Sequence, residues 1–113
     1  MTYFAAKTPC QNGHVHASRK EAKHCNALHL RQRAGEISGL EVEPVYTFPI
    51  NGKPVKMANG HDMKFTPDFS YIENGRKVVE DVKAVNAHMA RDVPVKLALA
   101  RHLWPDADFR IVA

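Results

Sequence analysis

The order of elements along the chain predicts an α/β (α+β) fold, with a mixed central sheet flanked by helices. A helical pattern runs from Ser18 to Arg33, strand-like segments with Asn-Gly turns fill the middle, and a second helix opening near Pro94 leads to a final strand at Asp108 to Val112. Helix, strands, helix, strand is the order in which helices cover a sheet. With 113 residues, 44% of them hydrophobic and 25% charged, the chain is expected to form one domain over residues 1–113, with residues 1–17 as a lead-in segment.

The first eleven or so residues show no strong periodicity. Ser18 then suits a helix N-cap, few β-branched residues interrupt the run to Arg33, and Gly35 stands where a helix would stop. At about 100° per residue, Glu21, Cys25 and Leu28 fall on nearly one line, away from Arg19, Lys23 and Arg31, so Glu21 is expected on the packed side. Glu41 to Ile50 alternates like a strand, and Pro44 and Pro49 mark an edge position or a bulge. Asn51-Gly52 signals a hairpin, followed by a short strand near Val55 to Met57 and a polar loop from Ala58 to Lys64. The central hairpin comes next, from Phe65 to Ile72 and from Lys77 to Lys83. In the second helix Pro94 suits the first turn, Val93, Leu97, Ala100 and Leu103 or Trp104 form the buried stripe, and Trp104-Pro105 ends it.

That central hairpin carries the chemistry. Asn74-Gly75 tolerates the positive φ angles of a tight turn, so Glu73 pairs with Arg76 and counting back sets Asp68 opposite Asp81. One face then collects Asp68, Ser70, Val79, Asp81 and Lys83, and the other presents Phe69, Tyr71, Val78 and Val82 to the core, with Glu80 as the polar exception. Opposed carboxylates lie about 5 Å apart at Cβ and repel. A divalent cation offsets that repulsion, since hard oxygen ligands are what magnesium binds. The competing reading is two solvated aspartates near a turn. Glu21 carries two readings as well, because Ser18-Arg19-Lys20-Glu21 is also a capping box.

A formal charge of +4 and a pI near 9.2 favour an anionic partner such as nucleic acid. No apolar run approaches a membrane span and no signal-peptide core is evident, so a cytoplasmic protein without a membrane partner is expected. Cys10 and Cys25 are too few for a secreted disulfide framework and would stay thiols in a reducing compartment. Cys10, His14 and His16 before the helix and His24, Cys25 and His29 on it raise the question of zinc, but the spacing fits no familiar finger and Cys-X-X-Cys pairs are absent. His14 and His16 are placed instead near DNA or the mouth of the site. Arg19, Lys20, Lys23, Arg31 and Arg33 read by default as the solvated face of a helix, whereas Lys53, Lys56 and Lys64 are better placed for phosphate contacts.

Thr66-Pro67-Asp68-Phe69 followed by Val78-Val79-Glu80-Asp81-Val82-Lys83 resembles the PD-(D/E)XK nuclease signature. The runs Ser18-Arg19-Lys20-Glu21-Ala22 and Ala34-Gly35-Glu36-Ile37, with Leu40 and Pro44, resemble a small phage and prophage family without a settled function, and Lys96 fits that likeness too. The resemblance implies a restriction-endonuclease-like core that hydrolyses DNA phosphodiesters with Mg2+ or Mn2+ in a bacterial host cell. It implies that Asp68, Asp81 and the Val82 carbonyl ligate the metal, that Glu21 is an additional ligand or water contact, and that Lys83 sits beside the attacking water. Arg19, Lys20, Lys96, His14 and His16 join the expected DNA contacts. Glu43-Pro44 departs from the glutamine-proline of many relatives and leaves that position's role open. Nothing resembles a base-reading module, which favours structure-selective cleavage, and a homodimer would suit a chain of this size. The alternative from another class is a non-catalytic nucleic-acid-binding phage accessory protein on the same fold; a zinc-stabilised interaction module is a third.

Overall fold

Ser18 adopts extended backbone and its Oγ accepts the Glu21 amide at 3.2 Å, which starts the helix α1 (Arg19–Arg33) where the capping signal places it. Gly35, at φ +80, stops it: its amide reaches the Gln32 carbonyl (3.0 Å) and that of Glu36 reaches Arg31 (2.9 Å), the paired bonds of a Schellman motif. The helix buries Glu21, Ala22, Cys25 and Leu28, the expected line. The computed structural model describes residues 7–16, 18–83 and 92–112.

Ahead of α1, the expected lead-in is in part a folded hairpin. Strands β1 (Thr8–Pro9) and β2 (Val15–His16) pair antiparallel, the Cys10 amide closes the turn onto the His14 carbonyl (2.8 Å), and Gly13 takes φ +86. Cys10 and His16 are buried against α1. Short-range periodicity could not reveal this, since each strand spans only two residues. Residues 1–6 and 17 of that segment lie outside the described residues.

The single strand expected from Glu41 to Ile50 is three: β3 (Ser38–Val42), β4 (Tyr46–Thr47) and β5 (Pro49–Ile50). Glu43 makes the break by adopting a left-handed φ of 53, far from the extended region of a regular strand. Asn51 and Gly52 are both left-handed, a type I′ arrangement that pairs β5 with β6 (Lys53–Pro54). The strand expected near Val55 to Met57 shrinks to an isolated Lys56–Asp62 bridge. Strand β7 (Lys64–Phe65) pairs with β4, so Phe65 does not belong to the central hairpin.

That hairpin is β8 (Phe69–Glu73) and β9 (Arg76–Val82), with the predicted register from Glu73 opposite Arg76 to Phe69 opposite Glu80. Helix α2 (Asp92–Leu103) returns the chain to β10 (Asp108–Val112), which lies parallel to β9. The sheet order β10-β9-β8-β3 is therefore mixed, and the fold is α+β with two helices among the described residues.

Both faces of the sheet are covered. Phe69, Tyr71, Val78 and Val82 pack with Ala22, Cys25 and Leu28 of α1. On the other face, Val79 and Phe109 meet Leu97 and Ala100 of α2 together with Phe48 and Phe65. The face that carries the aspartates is thus closed over most of its length, and Ser70 is wholly buried. At its Asp68–Asp81 end Asp81 is buried while Asp68 and Lys83 are partly exposed. No helix among the described residues is long and apolar enough to cross a membrane.

Candidate functional site

Asp68 sits one residue before β8, just past the last paired residue, and its amide bonds the Glu80 carbonyl at 3.1 Å. Its Oδ2 accepts the Val82 amide at 2.6 Å, which fixes the carboxyl across the strand end from Asp81. Glu43 holds the other side, donating its amide to the Asp68 carbonyl at 2.8 Å. The position left open in the sequence therefore acts through its main chain, as the kink that ends β3 and steadies Asp68.

Three carboxyl groups converge here. Burial, then the hydrogen bond with Asp81 and the charges of Glu21 and Asp81, push the Asp68 carboxyl up to about 8, against the pull of the Val82 amide. Glu21 arrives from the first turn of α1, so the helix and the hairpin meet at this point. Lys83, two residues beyond Asp81 on the same face, places Nζ 3.0 Å from Asp81 Oδ2. Lys20 clips the end of β9 by donating Nζ to the Lys83 carbonyl at 2.8 Å. A cleft of about 350 Å³ lined by Lys7, Val15, His16 and Glu43 lies on the same side.

The Glu21 carboxylate faces His16, with Oε1 at 3.0 Å from Nδ1. Of the two roles weighed for Glu21, only half of the capping box forms in that sense: Ser18 caps the Glu21 amide, while the Glu21 side chain turns toward the site. His16 itself is buried at 1% exposure, so it is no surface contact for DNA, and that expectation is corrected. Burial lowers the His16 pKa, but Cys10 and Glu21 outweigh it and the net shift is upward. Its Nε2 is buried and meets no partner in hydrogen-bonding geometry.

Around that nitrogen lies a second cluster. Ligand atoms of Cys10, His14, His16 and Cys25 all fall within 4.8 Å of one another. His14 Nδ1 is 3.5 Å from the Cys10 sulfur and 3.6 Å from the Cys25 sulfur, and both cysteines are free thiols. Burial raises the Cys10 pKa, yet the Asn12 amide and the adjacent His16 and His14 rings prevail and bring it down to about 6. Burial pushes the Cys25 thiol up to about 12, with Cys10 and Glu21 adding to the shift. The sequence names all four among its zinc candidates and sets them aside because their spacing fits no familiar finger; which four meet is decided by tertiary structure, which joins a hairpin to a helix. Of the other two histidines considered, His24 bonds Glu80 (3.3 Å) and His29 turns Nδ1 to the Cys25 carbonyl (2.9 Å). Glu80 is accordingly a buried structural acid, and burial is outweighed by its bonds with His24 and Tyr71, which hold its pKa low.

A family model matches residues 1–104 of the chain. The chain belongs to the DUF1064 family, described as proteins of unknown function. No curated protein and no solved structure matches it.

In this DUF1064 protein the basic residues named from the sequence are scattered. Arg19, Lys53 and Lys64 are exposed, whereas Lys56 is engaged by Asp62 (2.6 Å) and Lys96 by Asp92 (2.8 Å) on its own helix. Lys20 and Lys83 are the two lysines built into the acidic end of the sheet. Lys20 is therefore a positioning group there before it is a phosphate contact.

The raised Asp68 pKa has a consequence for the DUF1064 fold. Between the ordinary value of 3.8 and about 8, the folded state holds a proton that the unfolded chain has released. The stabilisation from this group is complete below about pH 4 and gone above about pH 8. Urea denaturation without divalent cation is expected to give lower stability as pH rises across that window, and Asp68→Asn should flatten the profile. An unchanged slope in that variant would refute the assignment.

Proposed function

We propose that the protein is a Mg2+- or Mn2+-dependent deoxyribonuclease of the PD-(D/E)XK kind on a restriction-endonuclease-like core, acting on DNA phosphodiester bonds in a phage-related process. The observation that carries the reading is the meeting of Asp68, Asp81 and Glu21 with Lys83 at one end of the sheet. Gathering three acidic side chains is costly, burial and the Asp81 and Glu21 groups raise the Asp68 pKa, and a hard cation would relieve them. Asp68 and Asp81 would hold the ion, with the Val82 main chain and Glu21 completing the oxygen set. When bound, such an ion supplies charge neutralisation and a water that ionises near neutral pH.

The remaining work falls to the chain's own groups. Lys83, 31% exposed at its side chain and held by Asp81, can present its ammonium to the water or to the charge that builds on phosphorus. Lys20 fixes the strand end that carries it. The Val82 amide holds one Asp68 oxygen and so fixes the carboxyl beside Asp81, where an ion would be bound. Exposed Arg19, Lys53 and Lys64 offer phosphate contacts that do not depend on base sequence. Structure-selective cleavage fits such contacts.

A panel of linear, nicked, flapped and four-way DNA, incubated with and without Mg2+ or Mn2+, tests the reading. Cleavage of at least one substrate is expected with cation and none with chelator. DNA binding without cleavage, and without a carboxylate-dependent Mn2+ signal in calorimetry, would replace it with the accessory-protein reading.

A further inference from the structure

We infer that Cys10, His14, His16 and Cys25 form a closed tetrahedral zinc site that pins the N-terminal hairpin to α1 and holds Glu21 in place through His16. The inference is independent of the nuclease reading. Zinc bound by sulfur at about 2.3 Å and imidazole nitrogen at about 2.0–2.1 Å in a tetrahedron separates a sulfur from a nitrogen by roughly 3.5 Å. His14 Nδ1 lies 3.5 and 3.6 Å from the two sulfurs. Two further features distinguish an ion site from weak S–H contacts of the same length.

The first is His16. Its ring is 1% exposed, Nδ1 is taken by Glu21 and Nε2 has no hydrogen-bond partner. A buried polar atom left so costs about 1–3 kcal/mol, and ligation to an ion satisfies it. A carboxylate on the far nitrogen of a metal-bound histidine is the usual outer partner, fixing the tautomer that leaves the near nitrogen free to ligate. The second feature is the turn at Cys10. The Asn12 amide donates to the Cys10 sulfur at 3.4 Å, and the Cys10 amide and the left-handed Gly13 fold the chain back so that His14 returns to the same sulfur. An amide aimed at sulfur supports a thiolate, the form in which cysteine binds metal.

Both cysteines are buried, and the four side chains fill the coordination sphere with no position for substrate, as in structural rather than catalytic zinc. The gain is mechanical. A hairpin of two-residue strands is marginal alone, and its polar ties to α1 are few, among them the Gln11 amide on Asn26 Oδ1 (2.8 Å) and His16 Nδ1 on Glu21 (3.0 Å). With His16 ligated through Nε2, its Nδ1–H donates to Glu21, so the ion would also orient the acid that approaches Asp68.

The test is metal analysis of the full chain purified under reducing conditions, with cobalt substitution read by the sulfur-to-metal absorption band. About one zinc per chain is expected, Cys10→Ser and His14→Ala should each retain less than about a tenth of it, and His102→Ala, on the exposed side of α2, should retain it all. Native wild-type protein should resist thiol alkylation until zinc is chelated, a reading that needs no variant to fold. Asp81→Asn should keep the zinc, which separates this site from the acidic one. Metal-free protein whose thiols react at once, or a Cys10–Cys25 disulfide in the soluble product, would overturn the proposal.

Discussion

Asp81→Asn is expected to lower cation-dependent DNA cleavage by about 100-fold or more while the protein stays folded. The side chain keeps its shape, so the buried position is not emptied; what disappears is the negative charge that faces Asp68 and Lys83. Removing it also relieves repulsion at the strand end, since Asp81 is one of the groups that raise the Asp68 pKa. Lys83 loses its partner without being stranded, because its side chain is 31% exposed and reaches water. Stability without cation should therefore hold or rise, and activity should fall. Cleavage rates at matched Mg2+, with urea denaturation of both proteins, check the two halves together. Unimpaired cleavage by the variant would remove Asp81 from the chemistry.

Phe69→Ala is expected to cost about 3–5 kcal/mol of stability, a large share of the roughly 5–15 kcal/mol that holds a domain of this kind. Phe69 is wholly buried at the start of β8, with ring centroids 5.9 Å from His16 and 5.5 Å from His24. It thus supports the hairpin and α1 at once, directly beside Asp68. The cavity left by alanine cannot be closed by α1 alone, because Cys25 and Leu28 are themselves fully packed. A lower urea midpoint with an unchanged slope is the expected measurement, and a loss below about 1 kcal/mol would show that α1 does not rest there. Cleavage should suffer too, as Glu21 drifts from the aspartates.

These two residues mark what could be read in the sequence. The register from Glu73 opposite Arg76 to Phe69 opposite Glu80, which brings Asp68 to the end of β9, follows from Asn74-Gly75, whose left-handed angles suit a tight two-residue turn. Ser18 and Gly35 bracket α1 for equally local reasons. The break after β3 was hidden because Glu43, neither glycine nor asparagine, adopts a left-handed φ. Burial of Ser70 and Asp81 was hidden too: polar residues on one face suggested an open surface, while distant Phe48, Phe65 and Leu97 supply the cover. The cysteine and histidine cluster is named in the sequence but discounted on spacing, because its members become neighbours only after folding.

The sheet order also settles where further chain could attach. The strand that bears Asp81 is an inner one, so its amides and carbonyls are committed to neighbours on both flanks. Among the described residues the outer members of the four-stranded sheet are Ser38–Val42 and Asp108–Val112, each paired with a strand of that sheet along one side only. Lateral growth, whether by another molecule or by a docked peptide, would widen the platform from its margins and leave the acidic end undisturbed.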